Sequence, residues 1–250
     1  MLVCTGGIKF KRATRPEHSV GKCVLICFWD GADPAFGMVL YVRWELKDGS
    51  VVVNLVASKA RVAPMHGVST ARMELGGATL GTRVVLRVIS AMREDPPKQV
   101  IFLGDSETIL ASRERDKGYF GEYFGNRIGE QFDNVERMQN LVTFDEPVQW
   151  FHVSSKNNAA DRITRGLSVP DDLSLESEWI NGPTFLRKPL HMWPINRDFA
   201  DRKTGTRLPF SEIRKPYREL LKADSSGNVA HAVHKMIGNG GPGILMTGTN

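Results

Sequence analysis

The sequence predicts an α/β domain in which three strands come first and helices then alternate with strands. Three short runs rich in β-branched and aromatic residues precede a long helical pattern. Two further short apolar runs alternate with helical patterns after that helix. The five predicted strands cover residues 22–30, 36–46, 50–57, 99–104 and 148–153.

The composition fits a folded intracellular protein. The 250 residues are 41% hydrophobic and 24% charged, which is enough apolar matter for a core and too little bias for disorder. No apolar stretch reaches the roughly 18–20 residues that span a bilayer, and the amino terminus lacks a signal-peptide pattern. Cys4, Cys23 and Cys27 match neither a disulfide framework nor a zinc site. We therefore expect reduced thiols and a location in the cytoplasm or the nucleus.

The first three strands are predicted to form an antiparallel meander. Residues 22–30 are an almost continuous apolar run, which is typical of a buried strand. Asp48 and Gly49 separate the second run from the third, and an Asp-Gly pair is a strong hairpin signal.

A long helix follows the meander. Ser69 or Thr70 caps a helical pattern over residues 71–92. Gly77 and Gly81 share one face of this helix, although each glycine costs about 1 kcal/mol relative to alanine. We therefore expect that face to lie close against the sheet.

The later elements are shorter, and the pattern weakens towards the end of the chain. Helical patterns cover residues 106–115 and 120–134, and a turn opens a short helix within residues 157–166. From Val169 onward, prolines punctuate a basic, weakly periodic sequence. The predicted organisation is a basic lead-in (1–21), a folded domain (22–168) and a partly extended or disordered connection segment (169–250).

Four acidic residues stand at the ends of predicted elements. Asp30 ends the first strand, Glu74 lies in the first turns of the long helix, Asp105 ends the fourth strand and Asp161 opens the last short helix. If these side chains converge, cations must offset their mutual repulsion. Oxygen ligands favour Mg²⁺ or Mn²⁺, and two such ions roughly 3.5–4 Å apart promote hydrolysis of a phosphodiester. The residues therefore predict a site for two metal ions.

The charge distribution fits a polyanionic substrate. Residues 1–22 carry a net charge of +4 and residues 187–222 a net charge of +6, which leaves an acidic centre. Basic flanks attract phosphates while carboxylates bind metal. Ordinary solvated surface charge explains the same distribution equally well.

Six motifs follow one another along the chain: FWDGAD at 28–33, LVASKARVAPMHGVSTARMELGGATLGTR at 55–83, FLGDSETIL at 102–110, FGNRIGE at 124–130, WFHVSSKNNAADRITRG at 150–166 and EWINGPTFL at 178–186. Taken in this order, they resemble the ribonuclease H domain of Pao/BEL-type LTR retrotransposon polyproteins. The resemblance covers about residues 22–187. Their order and spacing carry the resemblance, because each motif alone is a weak signal.

This resemblance implies a ribonuclease H-like fold, with a mixed five-stranded sheet of three antiparallel and two parallel strands flanked by helices. It implies cleavage of the RNA strand of RNA:DNA hybrids during reverse transcription, with two Mg²⁺ or Mn²⁺ ions and a reverse transcriptase domain or subunit as a partner. The family's metal-binding acids fall on Asp30, Glu74, Asp105 and Asp161. These are the residues that the element ends also select.

Several residues beside the acids are candidates for substrate binding. Lys156 and Asn158 precede Asp161 and either approach a phosphate or hold their loop by side-chain hydrogen bonds. The same set includes Arg162 and Ser106, although Ser106 most simply caps the following helix. His152 lies within a strand pattern, which favours packing over a role in product release.

Two other functions are compatible with these observations. A recruited retroelement domain can keep the fold and act, without catalysis, as a module that binds nucleic acid or protein. A transposase or resolvase of the same fold superfamily would cut DNA with a similar acid cluster.

Overall fold

The computed structural model describes residues 15–64, 67–167, 173–196 and 208–225. The strands are β1 (Ser19–Ala32), β2 (Ala35–Leu46), β3 (Val51–Val62), β4 (Gln99–Gly104), β5 (Gln149–Val153) and β6 (Ile195–Asn196). The helices are α1 (Thr70–Ala91), α2 (Glu107–Arg113), α3 (Glu122–Leu141), α4 (Asp161–Arg165), α5 (Glu178–Asn181) and α6 (Lys215–Ser225). Among the described residues, none of these helices is both long and apolar enough to cross a membrane.

The six strands found in the described residues form one mixed sheet in the order β3-β2-β1-β4-β5-β6. The first three strands are antiparallel neighbours, and β4 and β5 run parallel to β1. The predicted arrangement of three antiparallel and two parallel strands is therefore confirmed. The sheet has one strand more than predicted, because the two-residue β6 pairs antiparallel with β5. A strand of two residues has no periodicity of its own, so only its pairing reveals it.

The sheet is buried on both faces, which explains the continuous apolar run in β1. Leu25, Cys27 and Trp29 point into a core shared with α1, α2 and α3. Ile26 and Phe28 point to the opposite face, into a core covered largely by residues 179–193. Because side chains alternate along a strand, a strand with both faces covered is apolar at every position.

The local signals of the first half operate as predicted. The Ser69 hydroxyl caps α1 by accepting a hydrogen bond from the Arg72 backbone N–H. In the hairpin, Gly49 has a φ of 82° and the Asp48 carboxylate accepts a hydrogen bond from the Ser50 backbone N–H. A φ in this region suits glycine because it has no Cβ.

The described parts of the C-terminal segment pack on the sheet layers. Trp179, Leu186 and Trp193 are buried on one face, and Leu208 and Ile213 join the core on the other. The described residues exclude residue 168 of the predicted folded domain, residues 169–172, 197–207 and 226–250 of the predicted connection segment, and residues 1–14 of the predicted lead-in. The boundary at residue 168 remains a proposal.

Candidate metal centre

Three carboxylates meet at one edge of the sheet. Asp30 lies near the carboxyl end of β1, Asp105 directly follows β4, and Glu74 lies in the second turn of α1. One oxygen from each of these side chains lies within 4.8 Å of an oxygen from each of the other two. The two aspartates meet because β1 and β4 are parallel neighbours, so that their carboxyl ends share an edge.

Glycines bring α1 close enough to the sheet for Glu74 to reach the two aspartates. A Cβ on Gly77 would lie 2.5 Å from the Asp30 carbonyl oxygen, and a Cβ on Gly31 would lie 2.2 Å from the Met73 carbonyl carbon. Neither position has room for a larger residue without movement of the backbone. The predicted close approach of the glycine face of α1 is therefore confirmed.

Among the three clustered acids, Glu74 has the most strongly shifted pKa. Burial, together with the charges of Asp30 and Asp105, raises its pKa to about 9, while a hydrogen bond from the Gly31 backbone N–H acts in the opposite direction. Its Oε2 atom is buried and accepts no hydrogen bond from the described residues. A buried acceptor with no donor is costly, and a cation would satisfy it.

Asp30 has a raised pKa as well. Burial is the main cause, the nearby carboxylates of Asp105 and Asp161 add to it, and a hydrogen bond from Thr164 opposes it. The Thr164 hydroxyl donates to Asp30 Oδ2 over 2.5 Å. The same hydroxyl lies 3.0 Å from the Asp161 carbonyl oxygen, so α4 is tied to the end of β1.

The loop between β5 and α4 supplies two donors to Asp105. The Ser155 hydroxyl donates to Asp105 Oδ2 over 2.5 Å, and the Asn158 side-chain amide donates to Oδ1 over 3.1 Å. Both carboxylate oxygens of Asp105 are therefore held in place. Sequence reasoning missed Ser155 and Thr164, because a hydroxyl near a helix terminus is most simply interpreted as a cap.

The fourth predicted acid lies close to this cluster but is paired differently. Asp161 begins α4, and its carboxylate forms an ion pair with Arg165 one turn later, with an N–O distance of 2.9 Å. It is not among the three acids whose oxygens lie within 4.8 Å of one another. The structure thus gathers Asp30, Glu74 and Asp105 tightly.

The donor chemistry of the three acids fits a hard divalent cation. All their available ligand atoms are carboxylate oxygens, which Mg²⁺ and Mn²⁺ favour. The unpartnered Oε2 of Glu74 supports the same conclusion.

Residues 3–106 match the Pao retrotransposon-like RNaseH-like domain. The resemblance predicted from the motifs is confirmed over this range, which contains Asp30, Glu74 and Asp105 and excludes Asp161. Together with the strand order, this match identifies the fold as ribonuclease H-like. No curated protein sequence shows significant similarity to the chain.

Solved structures similar to the RNaseH-like chain include three ribonucleases H, one from a bacterium, one from an archaeon and one from compost. The N-terminal ribonuclease H domain of a Mycobacterium tuberculosis protein is 11% identical, covers 58% of this chain and 92% of its own, and has a TM-score of 0.37. RNase H1 of Halobacterium salinarum is 14% identical, covers 57% of this chain and 94% of its own, and has a TM-score of 0.31. LC11-RNase H1, isolated from compost, was solved with an RNA/DNA hybrid. In that structure it is 13% identical, covers 57% of this chain and 93% of its own, and has a TM-score of 0.34.

The candidate substrate-binding residues of the RNaseH-like chain occupy different environments. Ser106 caps α2 by accepting a hydrogen bond from the Ile109 backbone N–H. Lys156 is exposed, and Arg162 lies 3.8 Å from the Glu178 carboxylate. Asn158 is only 4% exposed.

His152 lies within β5, as its strand pattern predicts. It is half-buried and stands beside Gly104 of β4 and Asn196 of β6 in the sheet. This position within the sheet agrees with the packing interpretation.

Proposed function

We propose that this RNaseH-like chain is a metal-dependent endonuclease that hydrolyses the RNA strand of RNA:DNA hybrids in retroelement reverse transcription. The observation that carries the proposal is the convergence of Asp30, Glu74 and Asp105, with oxygens within 4.8 Å of one another. The match of residues 3–106 to a retrotransposon-like family supports the substrate class.

Asp30, Glu74, Asp105 and Asp161 would hold two Mg²⁺ or Mn²⁺ ions. Such ions, when bound, activate a water molecule and stabilise the leaving oxygen of a phosphodiester. The protein's own part is to keep the carboxylates aimed at one point. Hydrogen bonds to Asp30 and Asp105 serve this purpose, since an oriented ligand binds without reorganisation.

Recognition of the hybrid would depend on backbone shape and charge. A ribonuclease of this type selects RNA through its 2′-hydroxyl groups and groove shape, so we expect little sequence preference. Lys156 is exposed on the loop that holds Asp105, and Arg162 lies on α4 beside the cluster. Both are candidates for phosphate contacts. The other two members of the predicted set are placed differently, since Ser106 caps α2 and Asn158 is buried.

A cleavage assay tests the proposal. Purified protein is incubated with an RNA:DNA hybrid labelled on the RNA strand, with Mg²⁺ or with EDTA. We expect cleavage with Mg²⁺, none with EDTA and none in Asp105→Asn. Asp133→Asn, which neutralises an exposed acid on α3, is the matched control and should retain activity. Full activity in Asp105→Asn would remove this residue from the site.

The second candidate function is a catalytically silent module that binds nucleic acid or protein. The ion pair between Asp161 and Arg165 favours it, because a carboxylate neutralised by arginine is a weaker metal ligand. Hybrid binding without cleavage in Mg²⁺ and Mn²⁺ would support this alternative. Cleavage of duplex DNA instead of the hybrid would favour a transposase-like or resolvase-like activity.

A partner reverse transcriptase would act by supplying the hybrid. We propose such a domain or subunit because the matched family is retrotransposon-like. Cleavage by the purified chain at a low rate, raised by addition of a reverse transcriptase, would support this partnership.

A further inference from the structure

The side chain of Asn158 contacts three of the four elements that present acids to the candidate metal centre. Its amide nitrogen donates to the Trp29 carbonyl oxygen over 2.9 Å and to Asp105 Oδ1 over 3.1 Å. Its amide oxygen accepts a hydrogen bond from the Ala160 backbone N–H over 3.1 Å. Every hydrogen of the amide nitrogen and one lone pair of its oxygen are thus used.

These contacts fix the residues that carry the ligands. Trp29 immediately precedes Asp30, and Ala160 immediately precedes Asp161. The backbone carbonyl of Asn158 also accepts a hydrogen bond from the Asp161 N–H over 3.1 Å. One residue therefore joins the end of β1, the acid after β4 and the first residue of α4.

We propose that Asn158 is a positioning residue that sets the geometry of the metal-binding carboxylates and does not contact the substrate. Its side chain is buried, so a hybrid at the surface cannot reach it. A carboxylate group is symmetric, whereas the amide has distinct donor and acceptor ends. The structure needs two donations and one acceptance at this point, which asparagine provides and aspartate does not. The inference rests on the metal-dependent function proposed above.

The test compares Asn158→Ala and Asn158→Asp with Asn157→Ala in the full chain. Asn158→Asp keeps the shape and the acceptor for Ala160, but it loses both donations. Asn157 is the matched control, because its side-chain amide donates to Ser154 within the same loop. The first readout is the Mn²⁺ concentration that gives half of the maximal increase in melting temperature. The second is the separation of kcat from KM for hybrid cleavage.

In both Asn158 variants the Mn²⁺ concentration at the midpoint should rise by about 10-fold or more, as expected when a group that orients a metal ligand is removed. Their kcat should fall while KM for the hybrid stays within about 2-fold, and Asn157→Ala should behave as wild type.

Three results would overturn the inference. A raised KM with an unchanged Mn²⁺ midpoint would make Asn158 a substrate contact. A lower melting temperature without Mn²⁺, with an unchanged midpoint and kcat, would make it only a structural residue. Absence of any Mn²⁺ response in wild type would overturn the proposed function itself, and this outcome is distinct because it needs no variant.

Discussion

The Glu212 carboxylate forms a two-pronged ion pair with the Arg72 guanidinium, with N–O distances of 2.7 and 3.1 Å. Glu212 belongs to the described C-terminal residues and is buried, whereas Arg72 lies in the first turn of α1, two residues before Glu74. The described C-terminal residues are thereby attached to the helix that carries Glu74, one of the three clustered acids. The backbone adds to this attachment, since Gly121 donates to the Glu212 carbonyl oxygen over 2.7 Å.

This ion pair predicts that removing Arg72 from α1 lowers the stability of the protein more than removing Arg83 from the same helix. Arg72→Met leaves the Glu212 carboxylate buried without its partner and should lower the free energy of unfolding by about 2 kcal/mol. Arg83→Met is the matched control on the same helix, because Glu130, the partner of Arg83, is more exposed. That change should cost about 1 kcal/mol or less. Urea unfolding of both variants measures the difference, and equal losses would contradict the buried character of the first pair.

Gly77→Ala should lower stability even though alanine is the better helix former. Propensity alone would favour alanine by about 1 kcal/mol. The added Cβ would lie 2.5 Å from the Asp30 carbonyl oxygen, so α1 must move away from β1. Thermal unfolding should show a lower melting temperature and a weaker response to Mg²⁺.

Gly129→Ala in α3 is the control for that substitution. Its Cβ would approach only the flexible side chain of Lys117, at 3.1 Å. We expect an unchanged or raised melting temperature there. A stabilising Gly77→Ala would show that the helix does not need its close approach to the sheet.

The stability of the metal-free protein should fall as the pH rises. Glu74 has a folded pKa of about 9, against an ordinary value of 4.5. Between these two values the folded protein holds a proton that the unfolded chain has lost, so raising the pH favours unfolding. Below pH 4.5 both states bind the proton, and the contribution of Glu74 no longer changes. Melting temperatures in EDTA from pH 5 to pH 9 measure this slope.

Glu74→Gln separates this residue from other titrating groups. The variant cannot ionise at this position, so its melting temperature in EDTA should decline less over the same pH range. An identical decline in wild type and variant would assign the pH dependence to other residues.

The sequence predicts the elements that carry the acids well, because their patterns are local. The apolar run of β4 is predicted with its observed bounds, Gln99–Gly104, and the hydroxyl before α1 is a cap as expected. The acids at strand ends converge because parallel neighbours end at the same edge. Asp30 and Asp105 could therefore be grouped without coordinates, and Glu74 joins them because α1 packs on these strands. Asp161 belongs to the same predicted group but lies outside the tight cluster of three.

Long-range contacts account for what the sequence does not reveal. The bonds from Thr164 to Asp30 and from Ser155 to Asp105 link residues 134 and 50 positions apart. Nothing in the local sequence distinguishes such a hydroxyl from a helix cap. The burial of Trp179 depends likewise on the sheet face that it covers, because its own segment has little periodicity.

Thermal unfolding of wild type and Asp30→Asn in increasing Mg²⁺ tests most directly whether the carboxylates form a metal site. An ion that binds only the folded protein must raise the melting temperature of wild type as the ion concentration increases. Asp30→Asn should melt higher than wild type in EDTA, because it removes one of several repelling charges, and should respond little to Mg²⁺. A wild-type melting temperature that does not change with Mg²⁺ or Mn²⁺, or an equal rise in Asp30→Asn, would contradict a metal site at these carboxylates.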